Sequence, residues 1–167
     1  MKRRTWIIGL GIVGAIGWYA FRPELLFVRR SVNEGLPVAT AQAGPGSAMA
    51  MATTTLASGR FNSVAHTTRG TATIYRLDDG TRVLRLTDFA TSNGPDVRVY
   101  LVAARDAADN ETVKQAGFVE VGKLKGTDGD QNYEVPADLH LDKYRAVTIW
   151  CRRFSVNFGT APLTPAS

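Results

Sequence analysis

The chain has 167 residues, which is room for one ordinary domain and an appendage. With 44% hydrophobic and 21% charged residues, its composition is typical of a globular protein. The formal net charge is +5, but residues 1–43 carry six basic and two acidic side chains, whereas residues 44–167 carry fourteen and thirteen. A nucleic-acid-binding domain carries its basic excess on the folded part, so the charge distribution argues against that class.

The first segment is predicted to be a membrane anchor. Lys2–Arg4 precede the uncharged run Thr5–Phe21, and seventeen helical residues span roughly 25 Å, near the lower limit for a bilayer. Trp6, Trp18 and Tyr19 suit the two membrane interfaces. Because basic residues remain on the cytoplasmic side, we expect a single-pass cell-membrane protein with a cytoplasmic N-terminus and an extracytoplasmic domain.

A cleaved signal peptide is the alternative. The apolar run is followed by Arg22-Pro23-Glu24, which is a poor cleavage site. Ala41-Gln42-Ala43 has suitable small residues, but it lies some twenty positions further along the chain. The anchor is therefore favoured, and cleavage remains open.

Composition divides the rest of the chain. Residues 38–58 are dominated by Ala, Thr, Gly and Ser and carry no charge, which predicts a flexible tether. The predicted organisation is 1–21 cytoplasmic N-terminus and anchor, 22–58 juxtamembrane segment and linker, 59–163 β domain, and 164–167 tail.

The predicted domain is rich in strands. Thr71–Leu77 and Arg82–Phe89 flank Asp78-Asp79-Gly80, a hairpin turn, and Val97–Val102 alternates apolar and polar residues. Residues 105–116 are the one candidate for a short helix. The remaining predicted strands are Phe118–Val121, Asn132–Val135 and Ala146–Phe158, the longest. This spacing predicts an all-β fold, an antiparallel sandwich or barrel, preceded by the N-terminal helix.

Cys151 is the only cysteine, so no intramolecular disulfide can form. In a strand over Ala146–Phe158, alternation places Val147, Ile149, Cys151 and Arg153 on one face. If this face is the core, Cys151 is an inert buried residue. If it lies near an edge, Arg153 would stabilise the thiolate and make it reactive.

The two histidines do not form a recognisable metal site. A structural zinc ion needs four ligands, which Cys151, His66 and His140 cannot supply without carboxylates. Haem needs one or two axial ligands, so Cys151 or His66 could serve by number alone. We therefore predict no metal site and no evident cofactor, and expect His140 in a solvated loop. No hydrolase or nucleotide-binding motif supports a turnover enzyme.

A series of short motifs carries a family resemblance. They are Phe61…His66…Gly70, Asp79-Gly80…Leu84-Arg85-Leu86…Phe89, Thr91-Ser92-Asn93-Gly94-Pro95-Asp96, Val99-Tyr100-Leu101, Leu124-Lys125-Gly126, Gly129-Asp130-Gln131-Asn132-Tyr133, Val147…Ile149-Trp150-Cys151 and Phe154-Ser155-Val156…Phe158-Gly159. The order resembles the electron-transfer DM-thirteen domain, which accompanies DOMON domains in Skeletor-type animal proteins. The resemblance covers roughly residues 59–163, and bacterial members similarly carry one membrane helix ahead of the domain.

The resemblance implies a redox or electron-transfer role centred on the family's cysteine, which matches Cys151. Our first hypothesis is therefore a membrane-tethered extracytoplasmic redox domain in which Cys151 is the redox thiol, His66 a neighbour and Arg153 the tuning residue. The second is a non-catalytic binding or adhesion module of the cell envelope with a structural cysteine. The expected partners are the membrane and a redox or envelope protein.

Overall fold

The computed structural model describes residues 29–36 and 53–166. The elements of this part of the chain are β1 (Thr54–Arg60), β2 (Asn62–Ser63), β3 (Arg69–Arg76), β4 (Arg82–Ala90), β5 (Val97–Val102), α1 (Asn110–Ala116), β6 (Phe118–Lys123), β7 (Gln131–Val135), β8 (Ala146–Cys151), β9 (Val156–Pro162) and β10 (Thr164–Pro165).

The strands form two five-stranded sheets. The first has the order β10-β1-β3-β4-β7 and the second β2-β9-β8-β5-β6, and neighbouring strands are antiparallel throughout. One buried cluster joins inward side chains of both sheets, among them Leu84 and Leu86 of β4 and Val99 and Leu101 of β5. The predicted all-β antiparallel sandwich is thus confirmed.

The second sheet is also covered on its outer face. Tyr100 and Trp150 pack there with Val113 of α1 in a smaller buried cluster. The side chain of Asp109 caps α1 by accepting a hydrogen bond from the Thr112 N–H at 2.7 Å. Because apolar side chains lie against both faces, all six residues of β8 are buried.

The prediction of one long strand over Ala146–Phe158 is wrong. β8 ends at Cys151, residues 152–155 form a turn, and β9 returns antiparallel to β8. Ser155 adopts a left-handed backbone conformation, with φ of 53°, in this turn. The turn contains neither glycine nor proline, and its alternating side chains resemble a continuing strand. Arg153 therefore lies in an exposed turn and not in the strand that holds Cys151.

The first sheet begins earlier than the predicted domain start at Gly59. β1 starts at Thr54 and pairs with β3 from Thr54↔Arg76 to Arg60↔Thr71. The small residues of this stretch predicted a tether because they bury little apolar surface. Backbone pairing with β3 and β10 holds the strand instead, and Ala57 is its buried side chain.

Residues 29–36, hereafter the docked segment, bind along the loop that precedes β7. The Val32 N–H donates to the Asp128 carbonyl at 2.9 Å, and the Thr127 N–H donates to the Arg30 carbonyl at 2.8 Å. Ser31 and Asp128 form a parallel β-bridge. The segment is therefore held by backbone pairing with residues almost one hundred positions away.

Side chains strengthen this contact at Glu34. Its carboxylate accepts hydrogen bonds from Lys125 Nζ at 2.8 Å and from the Asn132 N–H at 2.7 Å, while Arg85 donates to its carbonyl at 2.9 Å. Burial alone would raise the pKa of Glu34, but these hydrogen bonds and the positive charges hold that pKa below its ordinary value. The docked segment is thus fixed by charge as well as by backbone pairing.

Two glycines make room for the docked segment. A Cβ at Gly126 would lie 2.5 Å from the Arg30 carbonyl oxygen, and one at Gly129 would overlap the Val32 carbonyl. Gly129 also has φ of 93°, a conformation that other residues rarely adopt. The glycine spacing of this loop therefore serves the close approach of two backbone segments.

No helix among the described residues is long and apolar enough to cross a membrane. The predicted anchor, residues 5–21, lies outside the described residues, as does the cleavage-site candidate Ala41–Ala43.

Candidate functional site

Cys151 is the last residue of β8 and is fully buried, with 0% of its surface exposed. It pairs with Val97 of β5 and Val156 of β9, and belongs to the sandwich core with Val147 and Ile149. The alternation expected from the sequence therefore holds as far as Cys151, and the face is the core face. The thiol is free, and no reagent can reach it from solvent without an opening of the surrounding strands.

The turn that follows Cys151 is tied to the loop before β5. The Arg152 N–H donates to the Asp96 carbonyl at 2.8 Å, and Arg152 Nε donates to the Asp96 carboxylate at 2.9 Å. Arg98 Nε donates to the other carboxylate oxygen at 2.6 Å. The hydrogen bond from Arg98, with the charge of Arg152, holds the pKa of Asp96 below its ordinary value. Arg152, rather than the predicted Arg153, thus makes the charged contact next to Cys151.

His66 lies in the loop between β2 and β3. Its ring packs against Phe158 with centroids 3.9 Å apart, and the backbone N–H of His66 donates to the Phe158 carbonyl at 3.2 Å. Phe158 belongs to the same buried cluster as Cys151. Among the described residues no hydrogen bond joins His66 to Cys151, and His66 touches the cluster that holds Cys151 through its contact with Phe158.

His140 is exposed, as expected, with 83% of its side chain accessible and Nδ1 3.9 Å from an Asp142 carboxylate oxygen. Within residues 29–36 and 53–166, no three His, Cys, Asp or Glu side chains are grouped so that they could hold a metal ion. A haem or metal at Cys151 or His66 stays a prediction.

A polar cleft of about 360 Å³ opens beside the His66 loop. Four separate parts of the chain line it with cationic, hydroxyl, amide and carboxylate groups, chiefly Arg29, Arg69, Thr91, Ser92, Asn93 and Asp128. The sequence did not predict this cleft because these residues lie up to one hundred positions apart and form no spaced motif. The hexapeptide Thr91–Asp96, quoted above for its resemblance, was the available signal.

This hexapeptide connects the cleft to the surroundings of Cys151. Its first half lines the cleft, and its last residue, Asp96, holds the turn after Cys151. At the centre, a Cβ on Gly94 would lie 2.8 Å from Val97 Cγ2 and 3.1 Å from the Phe158 ring. Only glycine therefore fits between the cleft and the core at this point.

Comparison with known proteins identifies the domain. The family model described as Electron transfer DM13 matches residues 60–163, more than half of the chain, and the chain therefore belongs to this family. The resemblance noted in the sequence is confirmed, and the matched region includes His66, the hexapeptide and Cys151. No curated protein and no solved structure matches the chain. The docked segment lies outside the matched residues.

Proposed function

We propose that this DM13 protein is a single-pass membrane protein whose β-sandwich lies outside the cytoplasm and has a role related to electron transfer. The family match carries the electron-transfer part of the proposal. The anchor is supported by the length and flanking charge of residues 5–21.

Retention of the N-terminal segment is supported by the docked segment. Cleavage after Ala43 would cut residues 29–36 from the sandwich, so that only noncovalent contacts would hold them there. Once the N-terminal piece dissociated, the Val32–Asp128 and Glu34–Lys125 contacts would be lost, and Gly126 and Gly129 would face an empty groove. Intact-mass spectrometry of the protein from the membrane fraction tests this: we expect the full N-terminus, and a chain starting at Gly44 would refute the anchor.

Cys151 is the proposed redox group. As the only cysteine, it would act with a partner protein that supplies a disulfide. In the opened state the Cys151 thiol loses its proton to water, and the thiolate attacks one partner sulfur. A new S–S bond forms as the partner's S–S bond breaks, and the second partner sulfur leaves as a thiolate. Because Cys151 is buried, this exchange requires the β8–β9 hairpin to open, with the Arg152–Asp96 contacts as the first to break.

The test compares thiol reactivity with global stability in the full chain in a neutral detergent. We expect Asp96→Asn to increase the rate of Cys151 alkylation under native conditions by more than its loss of stability accounts for. The matched control is Asp138→Asn, an exposed aspartate in the loop after β7. If the alkylation rate of Cys151 changes only as the free energy of global unfolding changes in every variant, local opening of the β8–β9 hairpin is refuted. An absorption spectrum of the same sample tests for haem.

A second candidate function is a binding module of the cell envelope in which Cys151 is structural. The complete burial of Cys151 among aliphatic side chains favours this role. Under this alternative, a Cys151→Ala variant keeps the cellular phenotype of the unaltered protein. Loss of phenotype in a folded Cys151→Ala protein would instead support the redox role.

A further inference from the structure

We infer that the polar cleft beside the His66 loop is a binding site for a phosphate-bearing anion. Its volume of about 360 Å³ lies within the range of small-ligand pockets, roughly 300–1,000 Å³. The lining offers two guanidinium groups together with the hydroxyl groups of Thr91 and Ser92. Guanidinium and hydroxyl donors are the groups that proteins use to bind phosphate oxygens.

The two arginines are available for a ligand. Arg29 and Arg69 are both exposed, and among residues 29–36 and 53–166 neither guanidinium group forms an ion pair or a hydrogen bond. Other arginines of the domain, such as Arg85 with Asp130 and Arg98 with Asp96, are paired. The cleft therefore collects cations that the fold itself does not neutralise.

The charge balance of the cleft favours an anion. Among residues 29–36 and 53–166, Asp128 is the one carboxylate in the lining, against Arg29 and Arg69. Arg69 also lines an adjoining cleft that adds Arg60 and Asp88, one charge of each sign. The surroundings thus keep one excess positive charge, which favours an anionic ligand over a cationic one.

The cleft is held open by contacts within its walls. The Thr91 N–H donates to the Thr127 carbonyl at 2.9 Å, and the Thr91 hydroxyl lies 2.9 Å from the Thr68 hydroxyl. Ala90 and Asp128 form an antiparallel bridge. Since these hydrogen bonds fix the backbone on both sides, a ligand meets a preformed site and little ordering opposes binding.

The docked segment completes the site, because Arg29 belongs to it. Only seven residues, 22–28, lie between the end of the proposed anchor at Phe21 and Arg29, and the eight steps along the backbone span at most about 26–29 Å. If the proposed function is correct, the cleft lies close to the membrane surface, where lipid headgroups and soluble phosphates both carry the required chemistry. The binding itself does not depend on the anchor or on Cys151.

Isothermal titration of the full chain in a neutral detergent tests the site, with inorganic phosphate and glycerol phosphate as probes. We expect saturable binding that weakens at least about tenfold in Arg69→Gln and in Arg29→Gln. The control Arg105→Gln removes an exposed arginine outside the cleft and should leave the affinity unchanged. Absence of saturable binding, equal loss in the control, or equal affinity for acetate would overturn the assignment.

The source of the phosphate is resolved by reconstitution in nanodiscs. Discs with phosphatidylglycerol are compared with discs of equal charge made with cholesteryl hemisuccinate, which has no phosphate. If the lipid headgroup is the ligand, it competes with glycerol phosphate, and the apparent affinity is lower in phosphatidylglycerol discs than in cholesteryl hemisuccinate discs. Equal affinity in the two kinds of disc identifies a soluble phosphate as the ligand. Failure of the titration leaves the alkylation and mass-spectrometry tests of the proposed function unaffected.

Discussion

Arg152 contacts Asp96 twice, through its backbone N–H at 2.8 Å and through its side-chain Nε at 2.9 Å. One residue of the loop before β5 thereby holds the first residue after Cys151. The contact lies where the end of β8 is next to the start of β5, since Cys151 pairs with Val97. The contact therefore closes this end of the second sheet.

The Asp96 contacts predict an acid-dependent loss of stability. The folded state holds the pKa of Asp96 below its ordinary value of about 3.9, so its stabilising contribution is present above that value. The contribution is lost as pH falls through the lower pKa of the folded protein. We expect Asp96→Asn to lower the urea midpoint at neutral pH, and the difference from the unaltered protein to shrink as the pH falls below the ordinary pKa of aspartate. A difference that stays constant with pH would contradict this.

Gly129→Ala should release the docked segment. The new Cβ overlaps the Val32 carbonyl, so the segment must move away. Hydrogen exchange should then accelerate at the Val32 and Glu34 amides. Gly117→Ala is the matched control, because Gly117 has a similar φ of 83° but no atom near its Cβ. Both variants should lose about 1 kcal/mol from backbone strain, and only Gly129→Ala should expose the segment.

Gln131→Leu should be strongly destabilising. Gln131 is fully buried, and its side-chain oxygen accepts from the Lys125 N–H at 3.2 Å and the Gly126 N–H at 3.1 Å. A leucine leaves the Gly126 N–H and the Tyr133 hydroxyl without their acceptor, so we expect a loss of about 2–4 kcal/mol in urea unfolding. Gln115→Leu, at an exposed position of α1, should change stability little. Similar losses in both variants would contradict the role assigned to Gln131.

Tyr133 should make the protein sensitive to alkali. Burial raises the pKa of the Tyr133 phenol well above its ordinary value, and its hydroxyl donates to Gln131 at 2.8 Å. The stabilising contribution is therefore complete below the unfolded pKa of about 10 and is lost as pH rises above it. Tyr133→Phe should cost about 1 kcal/mol at neutral pH and flatten the decline of stability between about pH 9 and pH 11. If stability declines with pH as steeply in Tyr133→Phe as in the unaltered protein, the role assigned to Tyr133 is contradicted.

Replacement of Cys151 should show how the thiol is packed. Cys151→Ala removes one buried sulfur and should cost about 1 kcal/mol or slightly more. Cys151→Ser places a hydroxyl among Val97, Val147 and Ile149, where a loss of about 2–3 kcal/mol is expected. Chemical denaturation of both variants measures the difference. If the serine and alanine variants are equally stable, the apolar packing described around Cys151 is contradicted.

Local patterns predicted the strands whose turns carry a chemical signal. Val97–Val102 was predicted with the bounds of β5, and the turn Asp78-Asp79-Gly80 separates β3 from β4. There the Thr81 N–H donates to the Asp79 carboxylate at 2.8 Å, which is the interaction that favours aspartate in turns. The Arg152–Ser155 turn has no aspartate, asparagine, glycine or proline, and the contacts of Arg152 with Asp96 hold it instead.

The site was harder to predict than the fold. Alternation placed Cys151 on the same face as Val147 and Ile149, but it did not decide whether that face was the core. It also carried Arg153 along, because the turn was not recognised. The contacts of the docked segment and the cleft join residues such as Arg29 and Thr127, whose proximity depends on the folded domain. No periodic pattern in a single sequence encodes a contact between residues that lie so far apart along the chain.

The docked segment also bears on what happens if the backbone is cut between residues 37 and 52. Residues 29–36 bind one side of the sandwich through Val32 and Glu34, and β1 enters the first sheet at Thr54. After such a cut, only the noncovalent contacts of residues 29–36 would connect the N-terminal piece to the sandwich. The sandwich would then leave that piece only when these contacts dissociate, so its release would be a reversible binding equilibrium and not a direct result of the cut.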